Sequence, residues 1–199
     1  MSTATLRRQP AFRKKSPDRL LSAADLDMFP DQLPSGPIKY ELHHGRLMIM
    51  APPGDIHGFR QSRIIYELHR AQDLGLGEAR GEMMVVLNRN PYTICAPDAA
   101  FILKASLPVQ RSKEGYLETI PEIVVEVRSK NDTKREIQTK IELYQEAGVK
   151  EVWLLDPASK TVAVNKADGN VQVFRGEDIL TCELLLGFTA PLAKLFEGE

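Results

Sequence analysis

Apolar residues recur along this chain with two different periods, and each change of period marks an element. Residues 40–50 alternate apolar and polar positions around His44-Gly45, which predicts two short strands joined by a tight turn. Phe59, Ile64, Ile65, Leu68 and Ala71 then recur with helical spacing as far as Gly75, as in a helix that buries one face. Residues 82–87, 98–103 and 121–128 read as three further strands, the last two separated by a loop around 104–115. A second long helix follows, opened by Asn131 or Asp132 and stopped by Gly148. Residues 151–156, 161–166 and 171–174 look like more sheet, with Asp168-Gly169 as a hairpin turn. Near the start, Ser22 with Asp25 three positions later resembles a capping box, and Pro30, Pro34 and Pro37 mark a loop. The expected fold is a mixed α/β domain: a central mixed sheet flanked by two long helices, with a C-terminal β meander.

A chain of 199 residues with 43% hydrophobic content suits one domain, expected over residues 20–199. Residues 1–19 read as a disordered basic arm: six bases against one acid make them net +5, leaving −6 on the rest of a chain of net −1. No apolar run reaches the roughly 18 residues of a membrane span, and no signal-like stretch opens the sequence, so the expectation is a cytoplasmic protein without a membrane partner. Cys95 and Cys182 are far apart and lack paired metal-ligand spacing, which argues against a disulfide framework or zinc knuckle and for packing roles.

The candidate chemistry lies in residues 120–140. Glu126 interrupts the apolar, β-branched run Ile123, Val124, Val125 and Val127, where a carboxylate is costly unless it meets a cation, a metal or several hydrogen bonds. Residues two apart in a strand share a face, so Glu122, Val124, Glu126 and Arg128 lie together, opposite Ile123, Val125 and Val127. On a helical wheel with Ile137 at zero, Lys140 falls at about −60°, inside the apolar arc of Ile141, Tyr144 and Ala147. An isolated lysine there more often snorkels to water, but an acid on the preceding strand changes that balance. Asp98, just before its own strand, supplies a second carboxylate if the two strands are neighbours, and close carboxylates of this kind suit Mg2+ or Mn2+.

With these residues in order, the chain resembles the PD-(D/E)XK nuclease superfamily, and within it the Uma2-like proteins described as restriction endonucleases. The resemblance spans residues 21–196. It rests on Tyr40-Glu41-Leu42 with Gly45, Ala51-Pro52 ahead of His57, Pro97-Asp98, the run from Pro121 to Ser129, Glu136 with Lys140 and Tyr144, and the run from Gly148 to Pro157. It implies a metal-dependent endonuclease acting on DNA. Asp98, Glu126 and the backbone carbonyl of Val127 would ligate the ion, Lys140 would attend the attacking water, and Glu41 and His57 would hold outer waters or a second metal. The wider superfamily carries the lysine two residues after the strand acid, whereas this subgroup supplies it from the following helix.

Arg128 stands at the usual lysine position; it stays protonated, so it is a phosphate clamp and not a base. Glu136 replaces a more common aspartate and lies one helical turn from Lys140, within pairing reach. Two other functions compete: a catalytically decayed member acting as a nucleic-acid-binding or assembly module, suggested by the acidic body and Arg128, and hydrolysis of RNA or a small nucleotide. Cutting both strands of a duplex needs two sites or two events, so a homodimer is expected.

Overall fold

A computed structural model describes residues 19–30, 32–33, 36–50, 53–111 and 115–198. The expected arm thus lies outside the described residues except for Arg19, as does Ala51-Pro52. The chain opens with a one-turn helix, α1 (Ala23–Leu26), where the Ser22 backbone N–H donates to Asp25 Oδ2 at 2.7 Å as the capping pattern predicts. The hairpin β1 (Gln32–Leu33) and β2 (Gly36–Pro37) leads to β3 (Lys39–His43) and β4 (Arg46–Met50), which turn where His44 and Gly45 both take positive φ. Then come α2 (Asp55–Asp73), β5 (Gly77–Gly81), β6 (Val85–Arg89), β7 (Tyr92–Cys95), β8 (Ala99–Leu103), β9 (Ile123–Val127) and α3 (Lys134–Glu146). The C-terminal part holds β10 (Glu151–Asp156), β11 (Thr161–Lys166), β12 (Val171–Arg175), β13 (Ile179–Thr181), β14 (Thr189–Pro191) and α4 (Leu192–Phe196).

The main sheet has six strands in the order β12-β11-β10-β9-β8-β5. Only β9 and β10 run parallel, because α3 carries the chain across the sheet between them; the expected meander β10-β11-β12 is the continuation of this same sheet. A second sheet of four strands, β4-β3-β7-β6, stands beside it.

β9 sits between two apolar layers, which explains its composition. Ile123, Val125 and Val127 pack with Ile64, Leu68 and Ala71 of α2 and with Leu192, Leu195 and Phe196 of α4, whereas Val124 packs with Ile141 and Tyr144 of α3. Both faces are buried, so alternation gives way to a continuous apolar run in which Glu126 is the exception. The four-stranded sheet divides in the same way: Leu42, Val86 and Ile94 meet Leu26 of α1, while Val85, Leu87 and Cys95 face the α3 layer.

The cap of α3 differs from the expectation. Thr133 opens the helix, its hydroxyl accepting from Glu136 N at 3.2 Å while Glu136 Oε2 accepts from Thr133 N at 2.9 Å. Asp132 instead accepts from Ser129 N at 2.7 Å and shapes the turn before it. At the other end Gly148, at φ 101°, lets its own N–H reach Gln145 O and Val149 N–H reach Tyr144 O, the paired bonds of a Schellman ending.

Candidate functional site

Sheet register brings the two strand acids together. Ala99 pairs with Val125 across β8 and β9, which sets Asp98 opposite Glu126. Asp98 Oδ2 accepts from the backbone N–H of Val127 at 2.7 Å, and its Oδ1 meets His57 Nε2 at 2.9 Å. Gln61, one turn after His57 on α2, donates to Asp98 O at 3.0 Å, so the first turns of that helix hold Asp98 from both ends.

Lys140 reaches this point from α3. Its ammonium lies 3.0 Å from Glu126 Oε1 and 3.1 Å from Glu41 Oε1, and the Tyr144 hydroxyl donates to the same Glu126 oxygen at 2.6 Å. Positions 140 and 144 are one turn apart on the face that α3 turns to the sheet, which is why both meet one carboxylate. Among the described residues Glu126 Oε2 accepts no hydrogen bond. Glu41, on β3, also accepts from Ala96 N at 3.0 Å and meets His43 Nε2 at 2.8 Å.

Two acids thus hold one lysine while a third stands opposite one of them, and their titration reflects it. Burial, with Asp98 and Glu41 nearby, pushes Glu126 up to about 7 although Lys140 and Tyr144 pull the other way. Burial would also raise Glu41, but the Lys140 ammonium, His43 and the Ala96 N–H outweigh it and hold the group at about 2. Burial disfavours the charged form of Lys140, yet the two glutamates overcome that and keep its pKa well above the ordinary value. His57 is raised chiefly by its hydrogen bond to Asp98, against the effect of burial.

The donor set fits a hard divalent cation. Asp98 and Glu126 offer carboxylate oxygens, one of them without a hydrogen bond, and Val127 ends its strand beside them with a backbone carbonyl. The side chains of Glu126 and Lys140 remain 14% and 16% exposed, so the cluster is open to water. The crowding that raises Glu126 is relieved when a divalent ion stands between it and Asp98, since the ion favours the ionised form of both acids.

Two of the other sequence candidates stand apart. Arg128 pairs with Asp156 at 2.8 Å, at the end of β10. Glu136 is exposed and spends its carboxylate on the Thr133 cap, not on Lys140. Tyr144 belongs to the motif that carries the resemblance but takes no site role from the sequence, because an aromatic on an apolar arc reads as core; its ring is indeed fully buried, while its hydroxyl reaches Glu126. Gln61 carried no signal beyond its place one turn after His57.

A sequence profile described as "Uma2: Putative restriction endonuclease" matches residues 26–193. No curated protein matches the chain. Among solved structures, a crystal structure from Anabaena variabilis ATCC 29413, described as a "putative nuclease belonging to DUF820", aligns at a TM-score of 0.71 and 17% identity. The alignment covers 88% of this chain and 97% of that one, and at such identity it speaks for the mixed α/β fold alone. No helix among the described residues is long and apolar enough to cross a membrane.

Proposed function

The chain belongs to the Uma2 family, and from that premise we propose that it is a metal-dependent endonuclease that hydrolyses phosphodiester bonds of DNA. The observation that carries this reading is the convergence of a strand acid, a helix lysine and a neighbouring strand acid: Lys140 on Glu126 at 3.0 Å, with Asp98 opposite Glu126 and anchored to Val127 N.

In this reading Asp98, Glu126 and the Val127 carbonyl hold Mg2+ or Mn2+. When bound, the ion supplies a lowered pKa for water and neutralises phosphate charge. Lys140, held at 3.0 Å from Glu126 and 3.1 Å from Glu41, would orient the attacking water or offset charge on the phosphoryl oxygens. Its raised pKa favours the protonated form, so donation and charge stabilisation suit it better than proton abstraction. His57 fixes Asp98 and can pass a proton to solvent, and Tyr144 fixes the rotamer of Glu126. Arg128 still has donors beyond the one given to Asp156, enough to grip a phosphate. Lys130, Lys134 and Arg135 are exposed around the start of α3 and give the nucleic-acid backbone a basic approach to an acidic pocket. Two copies, each with one such pocket, would serve the two strands of a duplex.

Plasmid incubated with purified protein and Mg2+ or Mn2+ tests the reading. Cleavage should vanish with EDTA and fall to background in Asp98→Ala and Lys140→Ala, with RNA and single-stranded DNA run in parallel to rank the substrates. Cutting that persists in both variants would assign the activity to a contaminant.

A further inference from the structure

A second constellation lies beside the first, and the nuclease reading uses only one of its members. Leu42 pairs with Ile94 across β3 and β7, which sets Glu41 opposite Cys95. Glu41, His43 and Cys95 therefore share one face of the four-stranded sheet, while Leu42 and Ile94 pack on the other. A carboxylate oxygen, an imidazole nitrogen and a thiol sulfur from these three all lie within 4.8 Å of one another. Glu41 and Cys95 are 1% and 0% exposed, and the His43 side chain, 13% exposed, gives the group its opening to solvent. The Cys95 thiol makes no hydrogen bond among the described residues, whereas Cys182 donates to Glu151 at 3.3 Å.

We propose that Glu41, His43 and Cys95 form a binding site for a thiophilic divalent ion of the Zn2+ class, distinct from the all-oxygen site at Asp98 and Glu126. One sulfur, one nitrogen and one oxygen ligand with a fourth position left open is a donor mix that Zn2+ accepts and Mg2+ does not. Charge balances as well. On binding, Cys95 gives up its thiol proton to buffer and an S–metal bond forms; thiolate and Glu41 carboxylate then neutralise the ion. Packing against the α3 layer holds Cys95 in place, and an ion would replace the present 2.8 Å contact between His43 Nε2 and Glu41 Oε2 with bonds from both to itself.

Co2+ titrated into the full chain with Mg2+ in excess tests this directly, since thiolate ligation gives a near-ultraviolet charge-transfer absorption that oxygen sites lack. The absorption should saturate at one equivalent, disappear on adding Zn2+, be absent in Cys95→Ser, and require at least tenfold more Co2+ in His43→Gln. It should persist in Cys182→Ser and in Asp98→Ala. Fluorescence of the buried Trp153 reports whether each variant is folded; should Cys95→Ser not fold, His43→Gln carries the same expectation. Absence of the absorption at saturating Co2+, or its survival in folded Cys95→Ser or undiminished in folded His43→Gln, overturns the proposal. Because the absorption does not depend on cleavage, it stands or falls separately from the nuclease reading.

Discussion

Replacing Lys140 by methionine keeps the length of the side chain and removes its charge, so the cost should come from the two acids it leaves behind. Breaking a buried ion pair costs about 3–5 kcal/mol when the remaining charge has no other partner. Here the remaining charges keep some partners: Glu41 retains Ala96 N and His43, Glu126 retains the Tyr144 hydroxyl and some contact with water. These lower the expected loss to about 2–3 kcal/mol at pH 8. The loss should depend on pH in a defined direction. Glu126 titrates at about 7 when folded against 4.5 for the free group, so its contribution to stability is full below pH 4.5 and declines as pH rises through 7. Without the ammonium it moves further up and stays protonated to higher pH; at pH 6 the group is mostly protonated with or without Lys140, so the penalty is smaller there than at pH 8. Urea unfolding followed by the fluorescence of Trp153, the sole tryptophan and fully buried, measures both values. A midpoint lower by about 1 M urea at pH 8, with a smaller shift at pH 6, is expected for a slope of about 2–3 kcal/mol/M. An unchanged midpoint at pH 8, or equal losses at the two pH values, would refute the idea that Lys140 neutralises buried acids.

Two further outcomes follow from neighbouring contacts. Tyr144→Phe keeps the buried ring and removes the 2.6 Å hydrogen bond, so it should cost about 1–2 kcal/mol and move the Glu126 carboxyl upward in an NMR titration; an unmoved carboxyl would contradict the contact. Thr133→Ala should cost about 1 kcal/mol in thermal unfolding through loss of the α3 cap. Glu136 is lowered by its hydrogen bonds to Thr133, so it stabilises the fold above pH 4.5 and loses that effect as pH falls; the variant should show a shallower loss on acidification from pH 5 to 3.

Residues that obey one strong pattern were legible in the sequence. The β-branched run of β9 has two buried faces to fill, and an acid inside it announces a partner; Lys140 on the apolar arc of α3 supplied that partner, at the spacing the sheet-to-helix crossover requires. Elements whose patterns compete were harder. Asn131, Asp132 and Thr133 are all cap formers, and only the reciprocal bond with Glu136 selects Thr133. β5 is Gly-Glu-Ala-Arg-Gly, poor in strand formers, and exists as an edge because it pairs with β8; a Cβ on Gly77 would run into the Ile102 carbonyl. The grouping of Glu41 with Lys140 depends on how the four-stranded sheet packs against α3, and its grouping with Cys95 on the pairing of β3 with β7, long-range contacts that no local period encodes. α4 follows Pro191 as a single turn, and buried Arg60 donates to the carbonyls of Leu195 and Glu197 at its end, again a partnership over more than a hundred residues.

Anomalous diffraction from crystals soaked in Mn2+ addresses the oxygen-ligand centre most directly. The account predicts one peak bonded to carboxylate oxygens of Asp98 and Glu126 and to the Val127 carbonyl, with Lys140 close by and its contact to Glu126 lengthened. A peak bonded to other groups, or none between the two acids while Lys140 stays locked on Glu126, would contradict it.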